Sequence, residues 1–149
     1  MQKQPAIEQN RRIVTVLSVS PDREDHSAIE GMVGHSRWAL YQAGEVAAAL
    51  AILEEREIGV VLCERDLKPG TWIDLLEPLQ LLSDAPPMIV TSRLADERLW
   101  SEALNLGAYD VLAKPFDVRE LARSVSLAWL HWRHRHDDAK RLPRMRAAS

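Results

Sequence analysis

A single cysteine, Cys63, excludes any internal disulfide from this chain of 149 residues, and its place in the apolar run Val60-Val61-Leu62-Cys63 marks it as a small core residue. A reducing, intracellular compartment suits such usage. Long hydrophobic runs are missing as well: no stretch approaches the roughly 20 apolar residues that span a bilayer. The opening MQKQPAIEQN has no apolar segment that could serve as an export signal. A cytoplasmic location without membrane contact is expected. Glycine is scarce, at six residues, and the loop from Asp66 to Thr71 holds one of them, so it is no phosphate cradle. No Ser/His/Asp or Cys/His arrangement accompanies a nucleophile-elbow sequence, and the chain is not expected to be an enzyme.

What is present is a globular composition, 46% hydrophobic and 28% charged, at about the length of one domain. A chain of this size buries roughly two thirds of its unfolded surface and needs neither disulfide nor structural metal to do so. The formal charge of −3 is unevenly spread. From Arg133 onward six basic residues (Arg133, Arg135, Lys140, Arg141, Arg144, Arg146) accompany Asp137 and Asp138, a local +4 that leaves −7 for residues 1 to 132. A solvated helix end accounts for these charges; contact with nucleic acid or an acidic protein surface is the competing reading.

Along the chain, strand and helix patterns alternate five times. Ile13 to Val19 is a β-branched run that stops at Ser20-Pro21. Pro and acids in Pro21-Asp22-Arg23-Glu24-Asp25 suit a helix N-terminus, and Ala28, Ile29, Met32 and Val33 follow with helical spacing. Trp38 to Tyr41 is a weaker strand, and Glu45 to Glu55 an alanine-rich amphipathic helix. Ile58 to Cys63 is almost continuously apolar, as a strand covered by helices on both faces must be, and is expected at the sheet centre. Trp72 opens a third helix to about Leu82, Met88 to Thr91 is a fourth strand, and Ala95 to Leu106 is a helix with Gly107 as its C-cap. Tyr109 to Ala113 is a fifth strand, and Asp117 opens a last helix through Leu121, Val125, Ala128, Trp129 and Trp132. Short connections between such elements mean right-handed crossovers and a parallel sheet, with function at the carboxyl ends of the strands. Those ends are Ser20-Pro21-Asp22, Glu64-Arg65-Asp66, Thr91-Ser92 and Lys114-Pro115.

At these four ends the chain resembles the receiver domain of two-component response regulators. The strongest signal is Gly107-Ala108-Tyr109-Asp110-Val111-Leu112-Ala113-Lys114-Pro115-Phe116, which is similar to the family's fifth strand and its Lys-Pro-Phe. The resemblance covers residues 11–133, leaving 1–10 as an N-terminal extension and 134–149 as a basic C-terminal tail. It implies a flavodoxin-like, CheY-like α/β fold: one domain, a doubly wound five-stranded parallel sheet of order 2-1-3-4-5, two helices on one face and three on the other. It also implies roles by position. Lys114 and Thr91 stand where the family keeps its lysine and hydroxyl, with Ser92 next to Thr91, and Pro115 where the family has a cis proline. Glu64 stands at the phosphoacceptor position in place of aspartate, Ser20 and Pro21 where an acidic pair holds Mg²⁺, with Asp22 one place late, and Val111 at the switch aromatic.

These departures bear on chemistry. Transfer of a phosphoryl group to a carboxylate brings anion onto anion, and a divalent cation on oxygen ligands must offset the charge. Ser20 and Pro21 offer no carboxylate, and the extra methylene of Glu64 moves its oxygen by more than the roughly 1 Å that can cost a hundredfold in rate. Neither Mg²⁺ binding nor any other cofactor is expected. Glu64 either supplies a permanent charge to Lys114 and Thr91 or forms a static ion pair with Lys114. Both readings give a stand-alone, degenerate receiver acting by phosphorylation-independent contact with a protein such as a sensor kinase or downstream regulator. Its expected surface, formed by the fourth helix, fifth strand and fifth helix, carries Arg93, Glu97, Trp100, Tyr109, Arg119, Arg123 and Trp132, and would also serve a homodimer. The rivals are a phosphorylatable regulator using a non-standard acid and Mg²⁺, with Asp66 the substitute acceptor, and a nucleic-acid-binding adaptor acting through the tail. The 13 to 17 residues expected after the last helix are too few for an output domain.

His131, His134 and His136 form a weak metal motif, because no cysteine or clearly placed carboxylate joins them. Trp129 is expected to be buried and Trp132 partly exposed. Trp72 is read as a cap packed on the core, with a ligand or partner platform as its alternative. FMN, which sheets of this type also bind, is disfavoured by the acidic Ser20 to Asp25 loop, which lacks the donors a phosphate needs.

Overall fold

The computed structural model describes the backbone of residues 13–34 and 37–148 and the side chains of these residues up to 138. The N-terminal extension 1–10 lies outside the described residues, as do the side chains of Lys140, Arg141, Arg144 and Arg146.

Five strands, β1 (Val14–Val19), β2 (Trp38–Ala43), β3 (Val60–Glu64), β4 (Met88–Ser92) and β5 (Asp110–Ala113), form one parallel sheet of order β2-β1-β3-β4-β5. Between and after them run α1 (Arg23–Val33), α2 (Val46–Glu55), α3 (Trp72–Gln80), α4 (Glu97–Leu106) and α5 (Val118–Ala148). The sequence expectation of this α/β architecture holds, with β3 at the centre.

The two-residue period of β3 explains why it reads as continuously apolar. Val60 and Leu62 point into one core with Ile29 and Val33 of α1 and Leu121, Val125 and Trp129 of α5. Val61 and Cys63 point into the other, with Ala49 of α2, Leu75 and Leu79 of α3 and Leu99 and Ala103 of α4. Both faces are therefore dry, and every residue from Val60 to Cys63 is buried. The helices start where side chains satisfy free N–H groups. Asp22 accepts from Glu24 N–H at 2.9 Å, Thr71 from Ile73 N–H at 3.3 Å, and Asp96 from Leu99 N–H at 2.9 Å. Gly107 ends α4 in the left-handed region at φ 107°, which only glycine adopts cheaply.

Two expectations need correction. The last helix does not leave 13 to 17 residues after it; its backbone is helical through Ala148, so what was expected to be a short tail after the helix belongs to it. Trp132 is buried, at 7% exposure, because its indole N–H donates to the Asp84 carbonyl at 3.2 Å and its ring stacks on His136 with centroids 4.7 Å apart. Trp132 therefore leaves the proposed partner surface. Trp72, at 1% exposure, packs in the core at the head of α3 as expected, which removes the alternative of a platform.

Candidate functional site at the carboxyl ends of the strands

The ends of β1, β3, β4 and β5 gather the residues singled out in the sequence, and one lysine organises them. Lys114 follows β5, its side chain 8% exposed, and its Nζ lies 2.5 Å from Glu64 Oε1 and 2.7 Å from Asp25 Oδ2. The peptide bond that follows it, Lys114–Pro115, is cis, as is Lys68–Pro69. Both carboxylates have second donors. Glu64 Oε2 accepts the Asp66 N–H at 2.8 Å, and Asp25 Oδ2 accepts the Ser20 hydroxyl at 2.6 Å. Ser20 Oγ in turn accepts the Asp22 N–H at 3.0 Å. The result is a continuous path from the end of β1, through α1 and β5, to the end of β3.

Burial alone, the largest single influence on Lys114, favours its neutral form. Hydrogen bonds to Asp25 and Glu64, together with their charges, outweigh it and raise the pKa above the ordinary lysine value. With both carboxylates ionised the three charged groups sum to −1. Burial, and to a lesser degree the Glu64 charge, pushes the Cys63 thiol far upward, so this cysteine is an inert core group.

Asp25 is the member that sequence reading missed, having taken it only as a favourable charge at a helix start. The available signal was its spacing: Asp25, Ile29 and Val33 fall at i, i+4 and i+8 and share the buried face of α1. His26 lies beside it, also buried. Its Nε2 faces the Ser20 carbonyl oxygen at 2.9 Å and its Nδ1 the Ser18 hydroxyl at 2.9 Å. A carbonyl oxygen only accepts, so Nε2 carries the hydrogen.

The remaining predicted residues are placed as follows. Thr91 is buried opposite Glu64 in the β3–β4 ladder. Ser92 Oγ is engaged by the Leu94 N–H at 3.0 Å, and Val111 is buried in the sheet. Pro21 is exposed, and Asp22 serves as the α1 cap. The Asp66 side chain is 68% exposed and paired with Arg65 at 3.0 Å. The three histidines do not converge: His136 contacts Asp84 through Nδ1 and Glu57 through Nε2 (2.9 Å), His134 is 82% exposed, and His131 lies against Tyr109. Among the described residues no group of three or more His, Cys, Asp and Glu is placed to hold a metal ion, and no helix is long and apolar enough to cross a membrane.

A doubly wound parallel sheet with a strand-end lysine facing carboxylates defines the class, and the comparisons specify it. Residues 16–126 match the response regulator receiver domain family, and the chain belongs to it. Among curated relatives, the transcriptional regulatory protein CpxR of Klebsiella pneumoniae is 29% identical over 120 residues, 78% of this chain and 50% of that protein. DpiA of Escherichia coli, also a transcriptional regulatory protein, is 28% identical over 115 residues, 76% of this chain and 50% of its own length. This chain thus spans half or less of the curated relatives it matches. Among solved structures, the signal receiver domain of an HD domain-containing protein from Pseudomonas fluorescens superposes with a TM-score of 0.76 at 22% identity, over 83% of this chain and 92% of that one. Chemotaxis response regulator CheY4 of Vibrio cholerae does so at 0.71 and 16%, over 78% and 98%. The chain is the receiver domain of a two-component response regulator.

The family implies a divalent cation at this site. The donors found here do not suit one: the two carboxylates that converge share an ammonium, and the hydroxyl at the end of β1 is committed to Asp25. A hard cation needs several oxygens free to turn toward it.

Proposed function

We propose that this domain works without phosphorylation, as a pseudo-receiver whose fixed surface binds a protein partner such as a sensor kinase or a downstream regulator, and that it catalyses no reaction itself. The observation that carries this reading is Lys114 Nζ held at 2.5 Å by Glu64 and 2.7 Å by Asp25. A strand-end lysine responds to an arriving phosphoryl group only if it has charge to satisfy. Here a carboxylate one methylene longer than aspartate already reaches it, and a second carboxylate holds it from the other side. A phosphoryl group placed on Glu64 would break the 2.5 Å contact and bring further negative charge beside Asp25 with no divalent cation to offset it.

The test is incubation with acetyl phosphate and Mg²⁺, followed by intact mass and by the ¹H–¹⁵N spectrum. An unmodified mass and an unchanged spectrum are expected. A phosphoryl adduct with shifts around Thr91 and Lys114 would establish instead a phosphorylatable regulator with a non-standard acceptor.

The surface expected from sequence, the α4–β5–α5 face, has support from exposure. Trp100 is 41% and Leu104 43% exposed, one turn apart on α4, and Arg119 and Arg123 are exposed on α5. Exposed aromatic and arginine side chains are favourable anchors for a protein partner or a second copy. Trp100→Glu is expected to abolish pull-down of the partner, or dimerisation in sedimentation velocity; unchanged behaviour in both would move the docking surface elsewhere.

A further inference from the structure

At the pole opposite the strand-end site, the last turn of α3, the segment leading into β4, the α4–β5 turn and α5 enclose a cleft of about 350 Å³. That is the small end of the range for ligand sites. Its apolar part is formed by Leu76 and Leu79 of α3 with Pro86, Pro87 and Met88. Its polar part is formed by Gln80, Tyr109, His131 and Arg135, and none of the lining residues is Asp or Glu. In a chain of net charge −3, a concavity whose only chargeable side chains other than a tyrosine are an arginine and a histidine is selective in sign.

Arg135 is also held in place. One of its guanidinium nitrogens donates to the Ala85 carbonyl at 3.1 Å, which fixes the group on the rim and leaves further N–H donors. Asp84, the residue before that carbonyl, is engaged by His136, Asp138 faces His134, and among the described residues no carboxylate pairs with Arg135. Gln80 Nε2 donates to the Leu106 carbonyl at 2.9 Å, which holds the side chain at the rim and leaves its second N–H free to donate. His131 sits against the Tyr109 ring, with centroids 6.0 Å apart. An apolar body therefore has a wall of proline and leucine to lie on, and an acid group has a prepositioned guanidinium at one end.

We propose that this cleft binds a small amphipathic carboxylate, an aryl or short alkyl acid whose apolar part lies against Leu79 and Pro87 and whose carboxylate pairs with Arg135. The site is separate from the Lys114 cluster and lies at the other pole of the sheet.

Phenylacetate and its neutral isostere phenylacetamide test this on the full chain. Titration of the ¹H–¹⁵N spectrum with phenylacetate is expected to give saturable shifts at Met88, Gly107, Ala108 and Tyr109, with phenylacetamide binding at least tenfold more weakly. Arg135→Gln is expected to weaken phenylacetate by about tenfold or more, as loss of a hydrogen bond to a charged group requires, and to leave phenylacetamide unchanged. An unaltered spectrum outside residues 84–88 and 131–138 shows that the variant is folded. Equal binding of acid and amide, shifts confined to other parts of the surface, or no saturable shift would each overturn the proposal.

Discussion

Lys114 and Asp25 lie 89 residues apart in sequence and 2.7 Å apart in space, and their contact fastens α1 to the end of β5. Replacing the lysine leaves two shielded carboxylates, Glu64 at 12% and Asp25 at 10% side-chain exposure, without their shared cation. Lys114→Met is expected to lower unfolding stability in urea by about 3 kcal/mol, the low end for breaking a buried pair, because Ser20 and the Asp66 N–H still serve the two carboxylates. Asp25→Asn and Glu64→Gln should each cost less, since the ammonium keeps one partner in both. A loss for either single variant as large as that of Lys114→Met would contradict the shared arrangement.

The raised pKa of Lys114 sets a pH dependence with a definite sign. The folded state holds this proton more tightly than the unfolded chain, in which lysine titrates near about 10.4. The stabilisation is therefore complete below about pH 10 and is lost as pH rises through the folded-state value. The stability difference between wild type and Lys114→Met should be flat from pH 7 to about 9.5 and shrink above it. Chemical denaturation across that range checks it.

Gly59 separates packing from backbone effects. Its φ is not positive, so alanine is conformationally allowed and would gain about 0.4–1 kcal/mol from the unfolded state. Its Cβ, however, would come 2.7 Å from Trp129 Cδ1 and 3.2 Å from Trp132 Cε3, and rigid indoles cannot withdraw as flexible chains do. Overpacking of about 1–3 kcal/mol wins. Gly59→Ala should be destabilised by about 1 kcal/mol, with a shift in tryptophan emission.

Gly107 is the opposite case. A side chain there would meet only the far end of Gln80, which can move, but φ is +107°. Gly107→Ala is therefore expected to lose about 1–2 kcal/mol through backbone strain, and Gln80→Ala should not rescue it. Thermal unfolding of the two single variants and the double variant decides between strain and collision.

The fold was legible because its signals are regular: a β3 run apolar from Val60 to Cys63, helices with i, i+4 stripes, and Gly107 after the last apolar residue of α4. The site was legible where strands end, since alternating architecture brings Glu64, Thr91 and Lys114 together whatever the loops do. Asp25 was harder to see because its role depends on which way one turn of α1 faces. The buried Ile29 and Val33 on its face held that information, but an acid near a helix start also has an ordinary dipole explanation. Trp132 was misjudged for a different reason. Its burial needs the Asp84 carbonyl, 48 residues away in sequence, and the His136 ring, and no local pattern announces either contact.

The course of α5 joins the two poles of the molecule mechanically. The helix begins three residues after Pro115, beside the Lys114 cluster, and reaches the His136 contacts with Asp84 and Glu57 about 27 Å further along its axis. A rod fastened at both ends transmits displacement in place of absorbing it. A tilt of its first turn is then felt at the Trp132–His136 stack, and a change at that stack is felt at Lys114. A double-mutant cycle between Lys114→Met and His136→Ala is therefore expected to show a coupling above the ~0.3–0.5 kcal/mol within which separated sites usually add; additivity within that range would show that α5 carries no displacement between the poles.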